Sequence, residues 1–283
     1  MIRLLLLFAA CAVLTGMPAS AQEQAMDHGA MPAPALPAFT VPPPALPADH
    51  YADRLFGTAA MERARAQMAR ENGGQTLHQL LLNIAEYGVH DGKAGYRWDG
   101  EAWLGGDIHR IVIKTEGSGT FREGVEDAEA QLLYSRAIGP YFDLQAGVRQ
   151  DISRSPARTY ATVAVEGLAP YMFQTEATLF LSNTGDLLGR IEAWYDQRLT
   201  QDAIVQARVE ANLSAQNVPE TRTGAGLSDI ELGLRLRYEL SRRFAPYIGI
   251  SWEAATGRTA DYAKADGEDA TTTSFVAGIR FWF

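Results

Sequence analysis

Met26-Asp27-His28-Gly29-Ala30-Met31 places two thioethers, an imidazole and a carboxylate in one short stretch. Thioethers suit soft metal ions, while imidazole and carboxylate suit borderline ones, so a flexible chain with both can close around one transition-metal ion. The same residues also fit a chance composition within a Met-, Ala- and Pro-rich linker, and spacing alone does not separate the two readings. His50, beside Asp49 and near Asp53, is a second set of nitrogen and oxygen donors, or else a solvated turn. Met61 and Met68 stand one heptad apart, a spacing that suits docking a helix better than holding a metal. His78, His90, His109 and Met172 fall on separate segments, and alternation puts Met172 with Gln174 and Glu176 on a polar face.

These residues do not make an enzyme. A hydrolase would need Ser, His and an orienting polar group together. No Gly-x-Ser-x-Gly or His-x-Ser accompanies the histidines. The single cysteine, Cys11, lies in an apolar leader and is removed with it. Met1 to Ala21 reads as a secretory signal: Arg3 gives the positive start, Leu4 to Leu14 the apolar region, and Ala19-Ser20-Ala21 the small-residue cleavage site. An exported chain without cysteine has no disulfide and no thiolate ligand. The full chain's formal charge of −9, which becomes −10 when Arg3 leaves with the signal, disfavours nucleic acid and is compatible with gathering cations.

Four parts must position these residues: the signal (1–21), a Pro/Ala-rich tail (22–57), a short amphipathic helix (58–74) and a strand-rich domain (75–283). Pro32, Pro34, Pro37, Pro42, Pro43, Pro44 and Pro47 keep the tail out of helix and sheet interior. Thr58 is placed to cap the helix, Met61, Ala64 and Met68 share a face, and Gly73-Gly74 stops it.

From Leu77 onward the pattern alternates with period two in about twelve segments near the length of a tilted membrane-crossing strand. In Ile230–Leu240 the apolar set Ile230, Leu232, Leu234, Leu236 and Tyr238 opposes Glu231, Arg235, Arg237 and Glu239. Short connections such as Ile138-Gly139-Pro140 and Thr200–Asp202 mark one rim. Long ones at Gly117–Val125, Ser214–Asp229 and Glu253–Ser274 mark the other. Aromatics at strand ends, including Tyr134, Tyr141, Tyr160, Tyr171, Phe173, Phe244 and Tyr247, suit girdles at a lipid–water boundary. The fold expected is all-β: an antiparallel transmembrane barrel of about twelve strands, ending on Phe281-Trp282-Phe283. Its lumen gathers Asp143, Glu192, Asp196, Glu210, Glu231 and Glu239 with Arg149, Arg190, Arg198, Arg208, Arg235 and Arg237, where they can pair. On alternation alone, a charge at Leu234 costs much more than a hydrophobe at Arg235.

Long runs in order carry a resemblance. Asp49-His50-Tyr51-Ala52-Asp53-Arg54-Leu55-Phe56-Gly57, Trp103-Leu104-Gly105-Gly106-Asp107, Gly167-Leu168-Ala169-Pro170-Tyr171, the stretch from Gly226 to Glu239 and the close from Val276 to Phe283 are similar to the copper-resistance protein B family. The resemblance covers roughly 49–283. It implies an outer-membrane protein of copper resistance, with copper as Cu(I) or Cu(II) held by an N-terminal segment in the periplasm. Met26, His28, Met31 and His50 are then the metal-ligand candidates. Partners expected are copper ions, outer-membrane lipid and a periplasmic copper protein, with sequestration and export both open. A passive or gated porin without a metal role is the alternative.

Overall fold

Residues alternating between lipid-soluble and charged side chains cannot be satisfied by one solvent, and the strands resolve this by closing on themselves. The computed structural model describes residues 51–72, 74–90, 93–152 and 157–283. Met26, His28, Met31 and His50 lie outside them. The chain divides into units 1–55 and 56–283. A helical turn, α1 (Asp53–Phe56), precedes α2 (Thr58–Asn72). Gly57, at φ +77°, supplies the entry to α2, its carbonyl accepting the Met61 N–H at 3.1 Å. The expected docking of Met61 and Met68 is not found: no α2 residue is buried, and Met68 is 64% exposed.

Twelve strands follow. They are β1 (Leu77–His90), β2 (Lys93–Gly105), β3 (His109–Thr120), β4 (Gly124–Ala137), β5 (Phe142–Asp151) and β6 (Thr159–Ala169), then β7 (Phe173–Ser182), β8 (Leu187–Arg198), β9 (Ala203–Ser214), β10 (Gly226–Tyr238), β11 (Phe244–Ala255) and β12 (Thr271–Trp282). Each pairs antiparallel with its neighbours, and β1 pairs with β12 to close the barrel. The last residue takes part in closure, since Leu80 and Phe283 exchange both backbone hydrogen bonds at 2.9 and 2.8 Å. Closure leaves no edge with unpaired backbone groups, which a hydrocarbon surrounding would penalise heavily.

The barrel is inside out. On β10, Leu234 is 52% exposed on the outer wall and Arg235 only 2% exposed within. The same alternation places Ile111, Ile113, Leu132, Val163 and Leu179 outside. No described helix is long and apolar enough to cross a membrane; the strands supply the crossing.

The terminal mouth, where β1 begins and β12 ends, carries only short turns. The far mouth carries the longer β9–β10 and β11–β12 loops. Four further differences from the sequence expectations appear along the barrel. The long loop expected at Gly117–Val125 is a tight β3–β4 hairpin. Gly117 and Gly119 are strand residues whose missing Cβ makes room for the Trp98 ring and the Gly124 backbone. Tyr160 and Tyr247, expected in the girdles, point inward at 2% and 5% exposure, because their flanking residues take the outer positions. Met172 does not join the polar face. It sits with Tyr171 in a turn, both at positive φ, and is exposed. The last difference is a helix inside the β11–β12 loop, α3 (Gly257–Asp266), ended by Gly267 at φ +83°.

Outer girdles do form. At the terminal mouth Tyr141, Phe173 and Phe283 lie outside, with Tyr134 bonded to His109 Nδ1 at 2.5 Å. At the far mouth Phe121 packs between Tyr96 and Tyr87, with ring centroids 5.2 and 5.8 Å away.

Candidate functional site in the barrel lumen

Every inward position of a closed barrel faces the same narrow space, so charged residues far apart in sequence meet there. Three guanidiniums tie opposite walls. Arg97 on β2 reaches Glu231 on β10, Glu210 on β9 at 3.4 Å and Glu116 on β3 at 2.8 Å. Arg190 on β8 reaches Glu116 at 2.8 Å and Glu129 on β4 at 3.1 Å. Arg208 on β9 joins Glu192 on β8 at 2.7 Å and Asp99 on β2 at 3.2 Å. Buried ions are tolerated when paired and hydrogen-bonded, and each of these guanidiniums is paired with carboxylates in the lumen, although the Arg208 Nε–H is left without a hydrogen-bond partner.

These three guanidiniums and their carboxylates form a septum across the lumen, and around it are further layers. Arg235 makes a two-pronged pair with Glu86, both contacts 3.1 Å, and the Tyr247 hydroxyl donates to the same carboxylate at 3.1 Å. A Cβ at Gly278 would stand 2.6 Å from the Tyr247 ring. Arg149 bridges Glu129 and Asp151 at 2.8 and 2.9 Å and lies over the Phe180 and Tyr160 rings. Lys114 projects its ammonium to Glu166 at 2.8 Å and Glu176 at 2.7 Å, with Glu101 at 4.0 Å.

The register adds an arrangement that pairing alone does not require. Asp143 on β5 is the direct cross-strand partner of Glu166 on β6, and Glu166 of Glu176 on β7. Glu176 pairs with Glu192, and Glu192 with Glu210. Glu210 pairs with Glu231, and Glu231 with Glu253 on β11. One carboxylate per strand thus climbs from the terminal mouth to the far mouth, with Cβ atoms of successive rungs about 5 Å apart. Like charges directly opposite destabilise a sheet unless cations stand between them.

The septum separates two cavities. One, of about 420 Å³, opens at the terminal mouth and is lined by eight carboxylate and four basic side chains. The other, of about 290 Å³, lies toward the far mouth, with eight carboxylates against three basic groups. Glu116, Glu129 and Arg190 line both. Beyond the strands, Asp186 in the β7–β8 turn accepts the Thr184 hydroxyl at 2.7 Å, the Gln216 amide at 3.0 Å and the Ser182 hydroxyl at 3.1 Å, and it pairs with Arg158. The Thr184 and Gln216 hydrogen bonds, ahead of the Arg158 charge, hold its pKa down at about 2. This carboxylate latches three far-mouth connections together.

Of the lumen residues expected from sequence, Arg208 meets Glu192 and Arg237 meets Asp196 at 2.6 Å, while Arg198 and Glu239 pair at the terminal mouth. Glu86, Arg97, Asp99, Lys114, Glu116 and Glu129, all on β1–β4, were missed. The bulge after Leu82 shifts the face on which Glu86 falls, whereas Arg97, Asp99, Lys114 and Glu116 stand in the unbroken β2–β3 register, where plain alternation carries them inward. His78 and His109 lie outside at the terminal mouth, whereas His90 sits at the far end of β1 with Nδ1 3.1 Å from the Thr273 carbonyl. The three do not converge. Among the described residues no group of three or more His, Cys, Asp or Glu is arranged as a ready metal chelate.

The family described as "Copper resistance protein B precursor (CopB)" matches residues 76–283. Copper resistance protein B of Escherichia coli is 46% identical over 204 residues, 72% of this chain and 69% of the relative. The Copper resistance protein B homolog of Pseudomonas syringae pv. tomato (strain ATCC BAA-871 / DC3000) is 36% identical over 295 residues, 99% of this chain and 94% of the relative. Among solved structures, the NanC porin has a TM-score of 0.49 at 13% identity, covering 71% of this chain and 98% of that one. The KdgM porin has 0.41 at 9% identity, covering 72% and 99%.

Proposed function

Because the chain belongs to the copper resistance protein B family, we propose that it is an outer-membrane barrel that contributes to copper resistance by binding copper and sequestering or exporting it. Family membership across the whole barrel carries this reading. The apolar outer wall and charged lumen support an outer-membrane location, where closed barrels satisfy every backbone group. Copper is the cargo, taken up by the N-terminal segment in the periplasm through Met26, His28 and Met31, with His50 as a further donor. Thioethers take Cu(I), and imidazole with carboxylate takes Cu(II). A periplasmic copper protein is the natural partner on that side, and no catalytic step is involved. The guanidinium septum argues against a wide passive pore.

The test is copper titration of the full chain folded in detergent. Met26→Leu with Met31→Leu keeps apolar bulk and removes soft donors, so Cu(I) affinity falls while Cu(II) binding largely survives. His28→Ala does the opposite. Cu(II) capture weakens below about pH 6, because a protonated imidazole cannot ligate, whereas thioethers do not titrate. Copper binding unchanged by all three replacements would overturn the tail site.

A further inference from the structure

Ion pairing with Lys114, Arg97 and Arg208 accounts for acids at the middle rungs but does not require them to stand in direct cross-strand register on seven adjacent strands. Sheet stability would favour breaking each like-charged pair, yet seven adjacent strands keep an acid at the matching position. We propose that the ladder is a cation track, on which small hydrated inorganic cations are held between successive carboxylates and passed between the two cavities. In this conformation the track is occupied by tethered cations. Lys114 sets its ammonium between two neighbouring rungs, Glu166 and Glu176, and Arg208 sits on the next, Glu192.

A second feature at the same place points to a cation independently of charge. Gln145 and Gln131 line the terminal cavity at 3% and 6% exposure, and the side-chain oxygen of each has no hydrogen-bond partner. Gln131 is the register partner of Lys114, and the Gln145 amide donates to the Glu166 oxygen that Lys114 contacts. Carboxylate and amide oxygens with free lone pairs are the ligands of hard cations. Neither cavity is lined by His, Cys or Met, so the track takes K⁺- or Mg²⁺-like ions without selecting for copper. The inference therefore stands apart from the copper reading.

The experiment is current through the purified full-length barrel in a planar bilayer under a KCl gradient, with no copper present. The wild-type protein passes small currents whose reversal potential reports a cation-to-anion permeability ratio of roughly 5 or more. Millimolar Mg²⁺ reduces the K⁺ current by competing for the rungs. Lys114→Met, which withdraws one tethered cation, raises cation conductance at least about twofold. Glu176→Gln with Glu192→Gln moves the reversal potential toward the anion side. A barrel that is folded by its gel migration yet passes no current, or favours anions, overturns the proposal. So does selectivity untouched by the two glutamine replacements. The wild-type measurement decides the matter if either variant fails to fold.

Discussion

Leu234 and Arg235 are adjacent on β10 and live in opposite surroundings. Leu234 faces outward among apolar neighbours; Arg235 is buried in the lumen and held by Glu86 from the other end of the chain. The outer wall asks only that a side chain be apolar, and one Leu there is much like another. The inner wall asks for a particular partner at a particular height, so its residues are not interchangeable. On alternation alone, Arg235→Leu looked cheap and Leu234→Arg expensive. The Glu86 partnership reverses the first of these.

The largest effect is therefore expected inside. Arg235→Leu strands a buried carboxylate and should cost about 3–5 kcal/mol of folding stability, with recovery when Glu86→Leu is added. Leu234→Arg puts a charge into hydrocarbon and should cost about 2–4 kcal/mol near midplane, with no recovery from any lumen change. Urea titrations of folding into lipid vesicles measure both. A cheap Arg235→Leu, or a Leu234→Arg that Glu86→Leu relieves, would break the contrast between the walls.

The smallest effect belongs to the far-mouth latch. The Asp186 carboxyl is held at about 2 in the folded chain, below the ordinary value near 4. Its contribution is fully present above about pH 4 and is lost as pH falls toward 2. Asp186→Asn should slightly lower stability at neutral pH, with the difference from wild type shrinking across that acid window in the same titration. A difference constant with pH would show that hydrogen bonding alone, without the charge, makes the latch.

Much of the outer wall was legible because hydrophobic alternation is a local property. Strands β5, β9 and β10 follow it without interruption over their central residues, and alternation assigns their two faces as the structure has them. The first four strands were read less well. A bulge after Leu82 exchanges inward and outward positions, and Gly117 and Gly119, read as loop punctuation, serve close packing within a strand. The helix α3 was hidden in a polar loop, although an Ala- and Lys-bearing run ended by Gly267 is a stop signal that could have exposed it. The ladder leaves a trace in the sequence. Glu166 and Glu176 are equidistant from Tyr171, Glu176 and Glu192 from Thr184, and Glu192 and Glu210 from Gln201, so hairpin register alone makes them partners. The septum could not be found that way, because Arg97 with Glu231 and Arg190 with Glu116 meet only after the barrel closes.

The inside-out barrel is the premise of every other statement about this chain, and cell fractionation with semi-native gel analysis tests it most directly. The mature protein should be recovered in the outer-membrane fraction, need detergent for extraction, and migrate differently before and after boiling, as a folded barrel does. Recovery as a soluble periplasmic monomer with heat-independent migration would contradict the account.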